Sequence, residues 1–258
     1  MDEYANLHKD FPFKLKEAVR SFWQTRELQT AGQQARGKSD QGARSAVTGG
    51  KQMSEIVSLL IDVVRSAGLK DDAIYVSRAL QLPGYFRPTK EWDLLIVSRH
   101  QLLAAIEVKS HVGPSFGNNF NNRVEEAIGS AQDIWTAYRE KAFGLSHQPW
   151  LGYFMLVEEC QGSTRPVAVE EPHFDVFPEF KGASYLGRYE IFCEKLLRER
   201  LYSSVALITS TRSASADGKY SEPSASLSAG SFVDSLRRNI MAAIENGLHR
   251  ERENEGRD

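Results

Sequence analysis

Two strongly apolar runs, Trp92 to Val97 and Leu102 to Val108, flank four polar residues, Ser98-Arg99-His100-Gln101. Short apolar runs joined by so brief a polar link are expected to pair as an antiparallel hairpin. Asp93 opens the first run; Glu107 and Lys109 close the second. Side chains two apart on a strand share a face, so Glu107 and Lys109 point the same way. A regular four-residue turn sets Asp93 opposite Ile106, with its side chain on the other face. A register that pairs Asp93 with Glu107 brings both carboxylates to one face. The expectation is therefore an odd-length connection or a β-bulge in this hairpin.

Acidic groups buried at a strand end need a partner for their charge. Mg²⁺ is a natural one, since it takes oxygen ligands from one or two carboxylates and keeps several waters. A cation held there can contact a phosphate oxygen and lower the pKa of a bound water. Lys109 beside it would orient that water and stabilise charge developing on the phosphate. Together these parts make a phosphodiester hydrolase. The pattern Asp/Glu-x-Lys occurs three times, ending at Lys109, Lys181 and Lys219. Only the first closes a buried-looking strand, and only it has an acid at the start of the preceding strand. The bland alternative is a strand rim with ordinary solvated charges.

The rest of the chain supplies an α/β setting. Helices are expected over 11–28, 54–67, 123–143, 189–201 and 232–252, and strands over 74–80, 150–157 and 204–209 besides the hairpin. Gly68 is a plausible residue to follow the second helix. Three long loops stand out: 30–51, Gly-rich with a local charge of +3; 158–182, acidic; and 210–231, Ser-rich and expected to be mobile. The order points to one domain over 1–258 with a central mixed sheet flanked by helices. Lys and Arg number 32 against 34 Asp and Glu, which excludes a generally basic nucleic-acid coat but leaves room for a local basic groove. The longest apolar stretch, Trp150 to Val157, has eight residues; a membrane span needs about 20. The acidic start, Met1-Asp2-Glu3-Tyr4, is unlike a secretory leader. Two cysteines, Cys160 and Cys193, form no disulfide framework, and the expected compartment is the cytoplasm. The six histidines show no paired metal spacing, so zinc is not expected, and His111 reads as a bland loop residue. No Walker loop is present.

Strand-Asp, strand-Glu-x-Lys, then a helix resembles the PD-(D/E)XK nuclease superfamily. Its usual proline is not adjacent, because Thr89 to Trp92 separate Pro88 from Asp93. More narrowly, the segments SAVTGGKQM (45–53), EWDLLIV (91–97) and AAIEVKSHVGPSFGNNFNNRVEEAIGSAQD (104–133) resemble XhoI-type restriction endonucleases. The resemblance runs from about residue 12 to residue 245. It implies a PD-(D/E)XK restriction-endonuclease-like core and Mg²⁺-dependent cleavage of double-stranded DNA at CTCGAG, leaving 5′-phosphate overhangs. It implies a homodimer reading a palindrome and a cognate DNA methyltransferase acting on the same site. Asp93 and Glu107 would be metal ligands, the Val108 carbonyl a further ligand, and Lys109 the catalytic lysine. Many superfamily members aim a glutamate from a preceding helix at the metal. Glu55 is the candidate, although a carboxylate in a first helical turn is favoured by the helix dipole anyway.

DNA would be read by Asn118, Asn119, Asn121, Asn122 and Arg123, just before and at the start of a helix. Asn pairs with adenine and Arg with guanine in the major groove, and a helix N-terminus attracts phosphate. The alternative is that these residues make turns and caps. Arg36, Lys38 and Arg44 in the first loop would follow phosphates or the minor groove. Two rival functions fit the same residues: a repair or structure-specific nuclease of the same superfamily, and a non-catalytic DNA-binding protein on this fold.

Overall fold

The computed structural model describes residues 3–35, 52–144 and 147–255. The longer helices are α1 (Glu3–Ala35), α2 (Ser54–Ser66), α3 (Phe116–Arg139), α4 (Tyr185–Arg198) and α5 (Ala229–Glu255). The strands are β1 (Ile74–Tyr75), β2 (Gln81–Pro83), β3 (Thr89–Glu91), β4 (Leu94–Ser98), β5 (Gln101–His111), β6 (Trp150–Glu158) and β7 (Ser204–Ser210). The central sheet has the order β1-β4-β5-β6-β7. Its first two pairings are antiparallel and β5, β6 and β7 run parallel, so the sheet is mixed as expected. β2 and β3 form a separate two-stranded sheet.

Helices cover both faces. Leu94, Ile96, Ile106, Phe154 and Ile208 belong to the core built with α1, α2 and α5, whereas Leu95, Ala105, Tyr153, Met155 and Leu207 belong to the core under α3 and α4. That double cover explains why every residue of β6 is buried. Such strands read as continuous apolar runs rather than as alternation. In α2, Ile56, Leu60, Val63 and Val64 fall on one stripe and are buried. Gly68 follows that helix at φ +103°, a left-handed geometry that glycine adopts without strain, and its N–H donates to the Arg65 carbonyl at 2.9 Å.

Several sequence expectations need correction. α1 continues to Ala35, so the first residues of the expected 30–51 loop are helical; residues 36–51, with Arg36, Lys38 and Arg44, lie outside the described residues. α3 starts at Phe116 rather than Arg123 and ends at Arg139. Gly117 and the asparagines are poor helix formers, but Phe116 and Phe120, one turn apart, are buried against Tyr185 and Tyr189. Packing of that kind outweighs propensity. The expected strand over 74–80 stops at Tyr75, and the chain turns through Ser77 and Ala79, both at positive φ, before β2. The Ser-rich 210–231 segment is not a loose loop. Ala214 and Leu227 are fully buried, Thr209 bridges to Ser221, and the Gln24 side-chain amide donates to the Ser215 carbonyl at 3.0 Å. Acids of the 158–182 stretch are partly paired, Glu171 with Lys181 at 2.9 Å and Glu179 with Lys195 at 2.6 Å.

Candidate active site

The hairpin carries the irregularity that the sequence required. β4 and β5 are joined by a two-residue turn, Arg99-His100, both at positive φ, closed by the pair Ser98↔Gln101. Turns of this hand match the twist of the strands. The register then shifts between Ile96 and Val97: Val97 faces Leu102 and Ile96 faces Ala104, so Leu103 is the extra residue. Beyond the bulge Leu94 pairs with Ile106, and one further step along that register brings Asp93 to Glu107. The connection is shorter than four residues, and the bulge supplies the odd one.

The result is visible in the side chains. Asp93 Oδ2 accepts from Lys109 Nζ at 2.7 Å and from the Val108 N–H at 2.9 Å. The same Lys109 ammonium forms an ion pair with Glu107 Oε2. Both carboxylates therefore lie on one side of the sheet, around one cation. Glu107 is almost fully buried on the α3 and α4 face of β5, while the Asp93 side chain keeps about a third of its surface.

The two acids shift in opposite directions. Glu107 is pushed above the usual carboxylate range by burial, with Lys109 and Lys90 opposing and the Asp93 charge adding to the rise. Burial also works against ionised Asp93, yet the Lys109 charge and hydrogen bond and the Val108 N–H outweigh it, and its pKa falls. Lys109 is driven up: burial disfavours its charge, but Glu107 and Asp93 more than compensate. It is held here as an ammonium, a donor and a charge rather than a base.

A second lysine completes the site. Lys90 Nζ forms an ion pair with Glu107 Oε1, donates to the Glu91 carbonyl at 2.9 Å and lies 4.6 Å from the Trp92 ring centroid. Sequence reasoning passed over it because it comes from β3, in the other sheet. The available signal was its two-residue spacing from Trp92, which puts both on one face of an extended segment.

The donor set suits a hard divalent cation. It consists of carboxylate oxygens, and Glu107 Oε2 is buried with no hydrogen bond of ordinary geometry, balanced by the Lys109 charge alongside. Among the described residues no group of three or more His, Cys, Asp or Glu side chains is placed to hold a metal. Oxygen donors of this kind suit a hard cation better than zinc, which favours nitrogen and sulfur.

Glu55 sits exposed in the first turn of α2, and among the described residues no hydrogen bond or ion pair joins it to Asp93, Glu107 or Lys109. Asn118, Asn119, Asn121 and Asn122 are exposed on the first turns of α3. Arg123 is half-buried and pairs with Glu126 at 2.6 Å. His111 ends β5 rather than lying in a loop, and it is buried. Its Nε2 is 3.3 Å from the Ser115 carbonyl and its Nδ1 meets the Tyr189 hydroxyl. Nε2 therefore carries the proton and Nδ1 accepts. Burial lowers its pKa to about 4, with the Ser115 bond opposing.

Residues 32–222 match the restriction endonuclease XhoI family. The chain is 53% identical over 212 residues to the type II restriction enzyme BstVI of Geobacillus stearothermophilus, covering 80% of this chain and 94% of the relative. It is 49% identical over 181 residues to the type II restriction enzyme XhoI of Xanthomonas vasicola, covering 69% and 72%. It is 52% identical over 166 residues to the type II restriction enzyme AbrI of Azospirillum brasilense, covering 64% and 74%. No solved structure matches.

Proposed function

This chain belongs to the XhoI restriction endonuclease family and is a type II restriction enzyme acting on DNA, and we propose that it cuts both strands at CTCGAG with Mg²⁺, between the first C and T, leaving 5′-phosphate overhangs. The observation that carries the chemistry is the convergence of Asp93 and Glu107 on one ammonium at the bulged hairpin.

Asp93, Glu107 and the Val108 carbonyl would hold the cation; Glu55 is the weakest member of the proposed set, since it is exposed. A bound Mg²⁺ supplies Lewis-acid polarisation of the phosphate and a water of lowered pKa. Lys109, which pairs with both acids before a cation binds, would then turn its charge to the substrate, orient the attacking water in line with the leaving 3′-oxygen and stabilise the charge that develops on the phosphate. The buried surroundings of Glu107 keep bulk water from screening these charges.

The exposed asparagines of α3 lie within fifteen residues of Lys109 along the chain and reach for base edges, with Arg123 released from Glu126. Arg36, Lys38 and Arg44 follow the phosphates. A homodimer matches a palindrome with one active site for each strand. A methyltransferase of the same specificity protects the host DNA, and the enzyme works in the cytoplasm. Among the described residues no helix is long and apolar enough to cross a membrane.

The test is digestion of a plasmid of known sequence with Mg²⁺, followed by sequencing of the fragment ends. Ends at C/TCGAG support the specificity; discrete ends elsewhere refute it. Structure-selective nicking would move the chain to a repair role.

A further inference from the structure

We propose that Lys90 is a positioning residue for the metal site: it holds Glu107 Oε1 so that Oε2 is the oxygen presented to a divalent cation between Glu107 and Asp93. The inference rests on the metal reading given above and deepens it.

The two oxygens of Glu107 have different surroundings. Oε1 meets Lys90, and Oε2 faces Lys109, which also touches Asp93. Lys90 is itself held from three sides. Its ammonium meets the Glu107 carboxylate, donates to the Glu91 carbonyl and lies over the Trp92 ring. Trp92 is 2% exposed and the Lys90 side chain 11% exposed. Lysine is usually a mobile point charge; this one is fixed by its surroundings. Among the described residues the Lys109 ammonium contacts the two carboxylates, so a cation that neutralises them would let it turn toward substrate. The division of labour follows: Lys90 stays on Oε1, Lys109 yields Oε2.

A carboxylate free to rotate binds a cation less well than one whose second oxygen is already tied. Partners that orient ligands typically change metal affinity by about 10- to 100-fold. Lys90 also arrives from the two-stranded sheet, where Leu82 pairs with it, so the β2–β3 unit is coupled to the metal site through one ion pair.

The test uses the full chain and Mn²⁺ alone, with affinity read by electron paramagnetic resonance and folding by thermal melting. Lys90→Met should weaken Mn²⁺ binding about 10-fold or more, and Lys90→Arg, which keeps the charge, should restore it to within about 3-fold. Where Lys90→Met melts below the assay temperature, Lys90→Gln carries the same comparison. Unchanged or tighter Mn²⁺ binding in a folded Lys90 variant overturns the inference, because it makes Lys90 a structural ion pair or a competitor of the metal. A Glu107→Ala chain separates the two levels of the argument. If it loses Mn²⁺ while Lys90→Met does not, only the role of Lys90 falls. If it binds Mn²⁺ as the parent does, or the parent binds none, the metal reading falls too.

Discussion

Two glutamates on neighbouring parallel strands are equally hidden and differently used. Glu107 on β5 and Glu158 on β6 are 2% and 3% exposed, and the strand pleat places them on opposite faces of the sheet. Glu158 is saturated by directional donors: Oε1 accepts from Arg212 Nε at 2.6 Å, and Oε2 from the Gly113 N–H at 2.8 Å and Arg212 Nη2 at 3.3 Å. Glu107 is neutralised by two lysine ammoniums, and one of its oxygens has no ordinary hydrogen bond. A guanidinium fork and a backbone N–H lock a carboxylate in place. Point charges only balance it, and can be exchanged for another cation. Burial alone does not mark a functional acid; the kind of partner does.

That contrast can be broken in several ways. The largest effect belongs to the exchangeable acids. Asp93→Asn or Glu107→Gln should lower DNA cleavage per folded molecule by about 10³-fold or more; gel assays at saturating Mg²⁺ read the cleavage and calorimetry the folded fraction. A large loss of stability with cleavage intact in the surviving fraction would make Glu107 an anchor like Glu158.

Glu158→Ala should do the reverse. The Gly113 N–H and the Arg212 guanidinium both lose a charged acceptor, which costs about 3 kcal/mol. Denaturant titration measures it, and turnover per folded molecule should stay within a few-fold.

His111 closes the same strand as Glu107 and gives a pH test. Its folded pKa of about 4 lies below the unfolded value of 6.5. Acid therefore protonates the unfolded chain first, so stability is full above about pH 6.5 and is lost as pH falls toward 4. The total is on the order of 3 kcal/mol, from 1.36 kcal/mol per unit. His111→Gln should flatten that slope, as read by melting temperature against pH.

The smallest expected loss is at Asp133. It accepts from the Tyr85 and Phe86 N–H groups at 2.7 and 2.9 Å and from Arg87 Nε at 2.7 Å, tying the β2–β3 turn to α3. Asp133→Ala should cost about 2 kcal/mol and raise hydrogen exchange at Tyr85 and Phe86. Such an anchor, like Glu158, should leave metal affinity alone.

What the sequence revealed follows from distance along the chain. The bulge and the trio Asp93, Glu107 and Lys109 all lie within 17 residues, where the two-residue period of a strand decides which side chains meet. Lys90 lies only 17 residues from Glu107 but in another sheet, and nothing local says that the two sheets touch there. The start of α3 was hidden for a different reason: Gly117 and the asparagines argue for a loop, and only the aromatic partners Tyr185 and Tyr189, far along the chain, overrule them. In the 210–231 segment Ala214 and Leu227 are isolated apolar residues without a period, so their burial left no pattern to read.

The most direct measurement is anomalous diffraction from crystals of the protein with duplex DNA and Mn²⁺. A peak within bonding distance of both Asp93 and Glu107 Oε2, with Lys90 still on Oε1, is the expected result. A bound ion elsewhere, with Asp93 and Glu107 still closed around Lys109, would contradict the account.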